Sequence, residues 1–228
     1  VQERIRLGVA GELPDTPKPG DPLFQRSQAV IIGDNARAAE AARQAAEERG
    51  YHSLILTTFL EGEAREIATV AVALAREVQA HGRPVPAPAC LILGGETTVT
   101  LHPMGESKRG PSAQRAPGQA KGKSDSLKSE IGKGGRNQEL ALAAALQLRG
   151  SEGITVAALA TDGSDGPTDG AGAVVDGGTV ARATSVGLDA QAHLARHDAY
   201  PLLEATGDLL RGGPTNTNVN DLLFIVTE

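Results

Sequence analysis

The 228-residue chain is long enough for one large domain or two small ones, and its composition is that of an ordinary globular protein. Its formal net charge of −6 argues against a nucleic-acid-binding protein, because such proteins are usually basic. The single cysteine, Cys90, excludes an intrachain disulfide and predicts a reducing, cytoplasmic location. No apolar stretch is long enough to span a bilayer, so we expect no membrane association. The first residue is Val1 rather than Met, as in a segment of a longer protein.

The first 24 residues differ in character from the rest of the chain. A short helix is predicted over residues 1–12, and four prolines at positions 14, 17, 19 and 22 favour an extended segment after it. We therefore predict an N-terminal helix and proline-rich linker over residues 1–24, followed by one domain over residues 25–228.

Apolar runs of strand length alternate with helical patterns along this domain. Strands are predicted at 29–32, 52–57, 89–93, 154–160 and 221–227, and helices at 36–49, 64–80, 179–186 and 189–196, with a further helix in the Ala- and Leu-rich run that ends at Leu148. Residues 161–178 are rich in loop-forming residues. The alternation predicts an α/β fold with a mixed, mostly parallel sheet and helices on both faces, an α/β/α sandwich.

Residues 104–131 interrupt this rhythm. The segment is rich in Ser, Gly, Pro, Lys and Gln and is nearly free of large apolar side chains. Such a composition cannot bury enough apolar surface to offset the entropy of ordering, so we predict a disordered insertion. Its basic residues leave phosphate capture open, although an inert surface loop is favoured.

A glycine-rich, basic turn at residues 132–136 leads directly into the Ala- and Leu-rich helix that ends near Leu148. The first amides of a helix have no partners within it, and the helix dipole makes that end electropositive. Lys133 and Arg136 add positive charge there. The pattern predicts an anion cradle for phosphate or carboxylate, and a flexible turn before a buried helix is the alternative.

Polar, glycine-rich segments follow the predicted strands, at residues 33–35, 94–98 and 161–170. Ligands of open α/β sheets bind beyond the carboxyl ends of the strands, so these segments are expected to meet at one edge. Asp162, Asp165 and Asp169 offer the oxygen ligands that Mg²⁺ prefers, or they simply form successive turns.

Two further patterns have plain structural explanations. Residues 214–221 carry short amides and hydroxyls that suit either substrate hydroxyls or turns. His193 and His197 lie four apart, a metal-ligand spacing, but a solvated helix face is the favoured interpretation.

Four ordered segments resemble the C-terminal MOFRL region of glycerate 2-kinases. They are residues 94–100 (GGETTVT), 132–139 (GKGGRNQE), 160–176 (ATDGSDGPTDGAGAVVD) and 217–222 (TNVNDL). The resemblance implies an ATP- and Mg²⁺-dependent kinase that phosphorylates D-glycerate to 2-phosphoglycerate.

The resemblance also implies roles for individual residues. Arg136 would stabilise the transferring phosphoryl group, and Lys133 would help to shape the same pocket as a second catalytic residue. Asp162 and Asp165 would hold the metal. Substrate and nucleotide would be bound by Gly94, Gly95, Glu96, Thr97, Gly134, Gly135, Asn137 and Asn218.

Three differences from the family pattern accompany the resemblance. Family members are longer, with an N-terminal Rossmann-like domain that contributes a catalytic lysine, and we expect such a domain as a partner. Residues 104–131 form an insertion. Asn216 stands where the family's Thr-Gly-Thr-Asn pattern has glycine.

A homodimer is compatible with the resemblance. The alternative functions are a non-catalytic binding or assembly fragment and, more weakly, a hydroxypyruvate reductase.

Overall fold

A computed structural model describes residues 1–28, 30–101 and 132–228 of the chain. The predicted insertion at 104–131 lies outside the described residues. The chain separates into two compact units, Val1–Ile32 and Gly33–Glu228. The predicted boundary after residue 24 stays a prediction.

The N-terminal unit contains helix α1 at Gln2–Val9, as predicted, and one turn of 3₁₀-helix at Pro22–Phe24. The strand predicted at residues 29–32 is wrong, since residues 30–32 have no regular structure and position 29 lies outside the described residues. Val30 and Ile31 are exposed. A β-branched run becomes a strand only where another strand supplies hydrogen bonds, and residues 30–32 are not part of the sheet that the described strands form.

The second unit is built on a six-stranded sheet. Its helices are α2 (Asn35–Glu47), α3 (Ala64–His81), α4 (Arg136–Leu148), α5 (Thr179–Ser185), α6 (Ala190–Ala195) and α7 (Ala199–Thr206). Its strands are β1 (His52–Leu60), β2 (Ala89–Gly95), β3 (Ile154–Ala160), β4 (Gly172–Asp176), β5 (Leu209–Leu210) and β6 (Asp221–Thr227). The strand order is β1-β2-β6-β3-β4-β5.

The sheet is mixed, as predicted, but the expected predominance of parallel pairing is wrong. Of the five neighbouring strand pairs among the described residues, β1–β2 is parallel and the other four are antiparallel. The C-terminal strand β6 inserts between β2 and β3 with the opposite direction. Strand β4 follows β3 through a short loop in the region expected to be loop-rich, so it must also run antiparallel.

Helices cover both faces of the sheet, as predicted. Ala89, Leu91 and Leu93 of β2 point into the larger core, which helices α3 and α4 close. The alternate residues Cys90 and Ile92 point to the other face, where they pack with α2. Helix α4 is buried on nearly all sides, which explains its run of alanine and leucine. Its first turn is therefore fixed in place by the core.

Among the described residues, no helix is both long enough and apolar enough to cross a membrane.

Candidate functional site

The predicted meeting point of polar segments exists at one edge of the sheet. Gly95, at the end of β2, and Ala160, at the end of β3, both pair with Asp221, the first residue of β6. The carboxyl ends of β2 and β3 therefore flank the Asp221 carboxylate. Helix α4 begins beside this edge, because Arg136 in its first turn contacts Asp221.

The Arg136 guanidinium is held between two carboxylates. Its Nε donates to Oδ2 of Asp221 over 2.5 Å, and its Nη2 lies 3.1 Å from Oδ1 of the same group. Nη1 lies 2.7 Å from Oε1 of Glu96. The hydrogen bond to Asp221 raises the pKa of Arg136 above its ordinary value, and the neighbouring Glu96 charge adds to this. Arg136 is therefore a fixed cation.

The two carboxylates differ in their contact with solvent. The Asp221 side chain is 9 % exposed, whereas that of Glu96 is 52 % exposed. An ion pair on a half-exposed carboxylate contributes little free energy, while a buried one is costly to break. Asp221 thus fixes the guanidinium, and Glu96 is the partner that a ligand can replace.

The electropositive end of α4 is already capped by the protein itself. Asp165, 2 % exposed, accepts hydrogen bonds from the backbone amides of Asn137 at 3.2 Å and Gln138 at 2.9 Å. The Asn137 side chain adds a third at 3.2 Å. The anion cradle predicted at these helix amides is therefore corrected, because an internal carboxylate occupies them.

Burial raises the pKa of Asp165 to about 6, with the amides of α4 opposing that shift. Gly135 leaves room for this carboxylate, because a Cβ there would lie 2.2 Å from Cγ of Asp165. Glycine is thus required at 135 by the cap.

Three amides just before the capped ones remain available. Those of Gly134, Gly135 and Arg136 donate no hydrogen bond to any described residue. The three residues line a cleft of about 290 Å³, together with Val99, Leu101, Gly132, Glu139, Gly166, Pro167 and His197. Arg136 and the two glycines that carry the other free amides therefore line the same cleft.

A second cleft, of about 470 Å³, adjoins the Glu96 side of the ion pair. Gly95, Glu96 and Asn220 line it with residues of the β1–α3 connection. Gly95 adopts φ +150°, and a Cβ there would lie 2.2 Å from the Leu60 carbonyl oxygen. The Arg136–Glu96 ion pair thus joins the linings of the two clefts.

Lys133 does not line the 290 Å³ cleft. Its Nζ lies 3.6 Å from the centroid of the Tyr200 ring, in a cation–π contact. Its backbone is held on both sides, since its amide donates to Asp198 Oδ1 and its carbonyl accepts from the Tyr200 amide. In this conformation Lys133 anchors the turn.

The four other predicted ligand-binding residues do not line the 290 Å³ cleft. Asn137 and Thr97 are buried, beside a cavity of about 10 Å³. Gly94 leaves space for Asn35, whose side chain donates to the carbonyl oxygens of Val219 and Asp221. Asn218 lies in the exposed turn before β6, where its Oδ1 accepts from the Asn220 amide.

The aspartate loop after β3 does not bring its carboxylates together. Asp162 forms a turn in which Oδ1 accepts from the Ser164 amide, and Asp165 caps α4. Asp169 bonds the Tyr200 hydroxyl. Among the described residues, no three His, Cys, Asp or Glu side chains are grouped so that they could bind a metal. The metal role of Asp162 and Asp165 stays a prediction that this geometry does not favour.

Asn216 adopts φ +59° in the turn before β6. Asparagine is one of the few non-glycine residues that accepts this left-handed conformation. Asparagine is therefore compatible with the backbone conformation that this turn has at position 216.

The sequence interpretation missed two groups at the site. Asp221 was named only as part of the polar segment 214–221, which suits either substrate hydroxyls or turns, and its pairing with Arg136 was not predicted. His193 and His197 were expected on a solvated helix face, which is wrong, since both are 8 % exposed. His197 lies beyond the end of α6 with φ +56°.

Comparison with known families completes the description of the site. The model described as the MOFRL family matches residues 89–221, which include β2, α4, β3 and the beginning of β6. This is more than half of the chain. The chain belongs to the MOFRL family.

Named relatives are similar to this chain along most of its length. This chain is 40 % identical to D-glycerate 2-kinase from Thermotoga maritima, over 85 % of this chain and 40 % of that protein. It is 38 % identical to a putative hydroxypyruvate reductase from Agrobacterium vitis over 93 % of the chain and 42 % of that protein.

The fold agrees with that of a solved relative. The crystal structure of glycerate kinase from Thermotoga maritima superimposes with a TM-score of 0.74 at 37 % identity, covering 88 % of this chain and 42 % of that one. The chain thus spans about two fifths of the length of these relatives.

Proposed function

We propose that this chain is the C-terminal part of a glycerate 2-kinase, which transfers the γ-phosphoryl group of ATP to D-glycerate and forms 2-phosphoglycerate. The observation that supports it best is the Arg136 guanidinium on a cleft wall, held by buried Asp221 and half-exposed Glu96. A fixed guanidinium suits the equatorial oxygens of a transferring phosphoryl group.

Arg136 binds phosphate by exchanging one partner. Nη1 leaves Glu96 for a phosphate oxygen, while the two contacts with Asp221 keep the guanidinium plane in place. Because the released Glu96 carboxylate is half exposed, water solvates it at little cost. The orientation needed for transfer exists before the substrate binds, which lowers the entropic part of the barrier.

Backbone amides support the same anion. The unengaged amides of Gly134, Gly135 and Arg136 line the cleft that the guanidinium faces. Consecutive amides of this kind form anion-binding concavities. Gly95 and Glu96 line the adjoining cleft, which leaves room for the second substrate beside the ion pair.

Mg²⁺ would neutralise the phosphates of ATP during the transfer. Among the described residues, no three acidic or histidine ligands are grouped, so this chain offers no site made of protein ligands alone. Arg136 and the amides carry the electrostatic role of this chain without it. A Rossmann-like N-terminal domain, a homodimer and a cytoplasmic location belong to the same proposal.

An assay with two substrate pairs tests this function in the intact protein that contains the chain. With ATP, Mg²⁺ and D-glycerate, we expect ³¹P NMR to show ADP and 2-phosphoglycerate. NADH consumption with hydroxypyruvate, without phosphorylation, would instead support the reductase named for the Agrobacterium vitis relative. Calorimetric binding of ATP without turnover in the intact protein would support a non-catalytic module.

A further inference from the structure

A buried histidine–carboxylate pair lies on the wall of the 290 Å³ cleft. His197 Nδ1 lies 2.9 Å from Oε2 of Glu139, and the two side chains are 8 % and 5 % exposed. The other Glu139 oxygen, Oε1, accepts from Nε of Arg65 at 2.5 Å. Both oxygens of the carboxylate are therefore paired, and the group is fixed in position.

His197 Nδ1 has two close partners. Arg65 Nη2 lies 3.0 Å from Nδ1 and also donates over 2.6 Å to the Leu194 carbonyl oxygen. The contact of Nδ1 with Glu139 Oε2, at 2.9 Å, is the shorter of the two. We assign the Nδ1 proton to this contact, which leaves the lone pair on Nε2.

His197 lines the same cleft as Arg136. Glu139 follows Arg136 by three residues on α4, so the two side chains lie on one face of the helix, about one turn apart. Glu139, His197 and Arg136 all line the cleft. Nε2 forms no hydrogen bond with any described residue, so it is the ring nitrogen left to contact a ligand.

We propose that His197 is the proton acceptor for the substrate hydroxyl in phosphoryl transfer; this rests on the kinase function proposed above. The hydroxyl oxygen forms a bond to the γ-phosphorus while the bond from that phosphorus to the β,γ-bridging oxygen breaks, and ADP leaves with the electron pair. The hydroxyl proton passes to Nε2. Glu139 stabilises the imidazolium until the proton is released to water.

Two substitutions separate this catalytic role from a structural one. In His197→Asn the amide nitrogen replaces Nδ1 as a donor to Glu139, and asparagine tolerates φ +56°, but Nε2 is lost. In His197→Gly the backbone angle is retained and a space for free imidazole is created. His193→Asn is the matched control, since His193 is equally buried, bonds the Asp198 carbonyl oxygen through Nδ1 and does not line the cleft.

The variants are assayed in the intact protein with ATP and D-glycerate. We expect His197→Asn to lower kcat about 100-fold or more with little change in the KM of ATP. Added imidazole should restore part of the activity of His197→Gly, and His193→Asn should keep the wild-type kcat. Normal turnover by His197→Asn, or a His197→Gly enzyme that imidazole does not activate, would overturn the proposal.

The wild-type assay keeps the two proposals apart. If the wild-type protein forms no 2-phosphoglycerate, the kinase function itself is contradicted. If it forms the product and His197→Asn forms it at the same rate, only the role of His197 is contradicted.

Discussion

Nε of Arg136 donates a hydrogen bond over 2.5 Å to Oδ2 of Asp221, a residue 85 positions later in the chain. The contact exists because β6 inserts between β2 and β3 with Asp221 at the edge where α4 begins. Asp221 is buried and bonds two nitrogens of the guanidinium. The position of Arg136 is therefore set by the register of the sheet.

Asp221→Asn is expected to lower kcat about 10- to 100-fold. An amide cannot accept both guanidinium hydrogen bonds, so Arg136 would lose its orientation, and the rate of transfer falls steeply when a catalytic group is misplaced. Steady-state kinetics of glycerate phosphorylation measure the effect. Glu96→Gln changes the more exposed carboxylate partner of Arg136 and serves as the control. It should change kcat less than Asp221→Asn does. An equal loss in both variants would show that the two carboxylates do not have different roles.

Gly135→Ala is expected to lower the free energy of unfolding by about 1–3 kcal/mol, because the new Cβ would overlap the Asp165 carboxylate. Urea unfolding monitored by circular dichroism gives the value. Gly212→Ala is the matched control, since a Cβ there meets nothing within 4 Å and its φ is not positive. A Gly135→Ala protein as stable as Gly212→Ala would refute the proposed packing of Asp165.

The buried Asp165 gives stability a predictable pH dependence. Its pKa is raised from 3.8 to about 6 in the folded state. Between these values the folded protein holds a proton that the unfolded chain has lost, so stability falls as pH rises through this range. The stability that the raised pKa of Asp165 contributes is therefore fully present below pH 3.8 and is lost as the pH rises to about 6.

Asp165→Asn isolates this effect. The difference in unfolding free energy, variant minus wild type, should increase from about pH 4 to about pH 6 and stay constant above that, because asparagine does not titrate. Denaturant unfolding at a series of pH values measures it. A difference that is independent of pH would mean that the Asp165 pKa is not raised.

Local sequence patterns were sufficient for most elements of the fold. The predicted strand at 154–160 occurs with those bounds, and the helix predicted in the run that ends at Leu148 is α4, because an apolar run and a helical period are properties of neighbouring residues. The direction of a strand in the sheet was not predictable in the same way. The apolar run of β6 is compatible with a buried strand in either direction, and its antiparallel insertion depends on the whole chain.

The same distinction holds at the candidate site. Arg136 and the glycines before it stand out in the sequence because they are adjacent. Asp165 was found as a carboxylate, but its use as a helix cap depends on a loop 28 residues away. The Glu139–His197 pair joins residues 58 positions apart, and no local pattern marks it.

The central claim is that Arg136 stabilises the transferring phosphoryl group, and the most direct measurement is kcat of the intact protein with Arg136 replaced. We expect Arg136→Ala to lower kcat for ATP and D-glycerate about 100- to 10,000-fold. Arg136→Lys should restore little of the lost kcat. The ammonium group of lysine lacks the planar guanidinium that can bind Asp221 and a phosphate oxygen at the same time. A folded Arg136→Ala protein with near wild-type kcat would contradict the account.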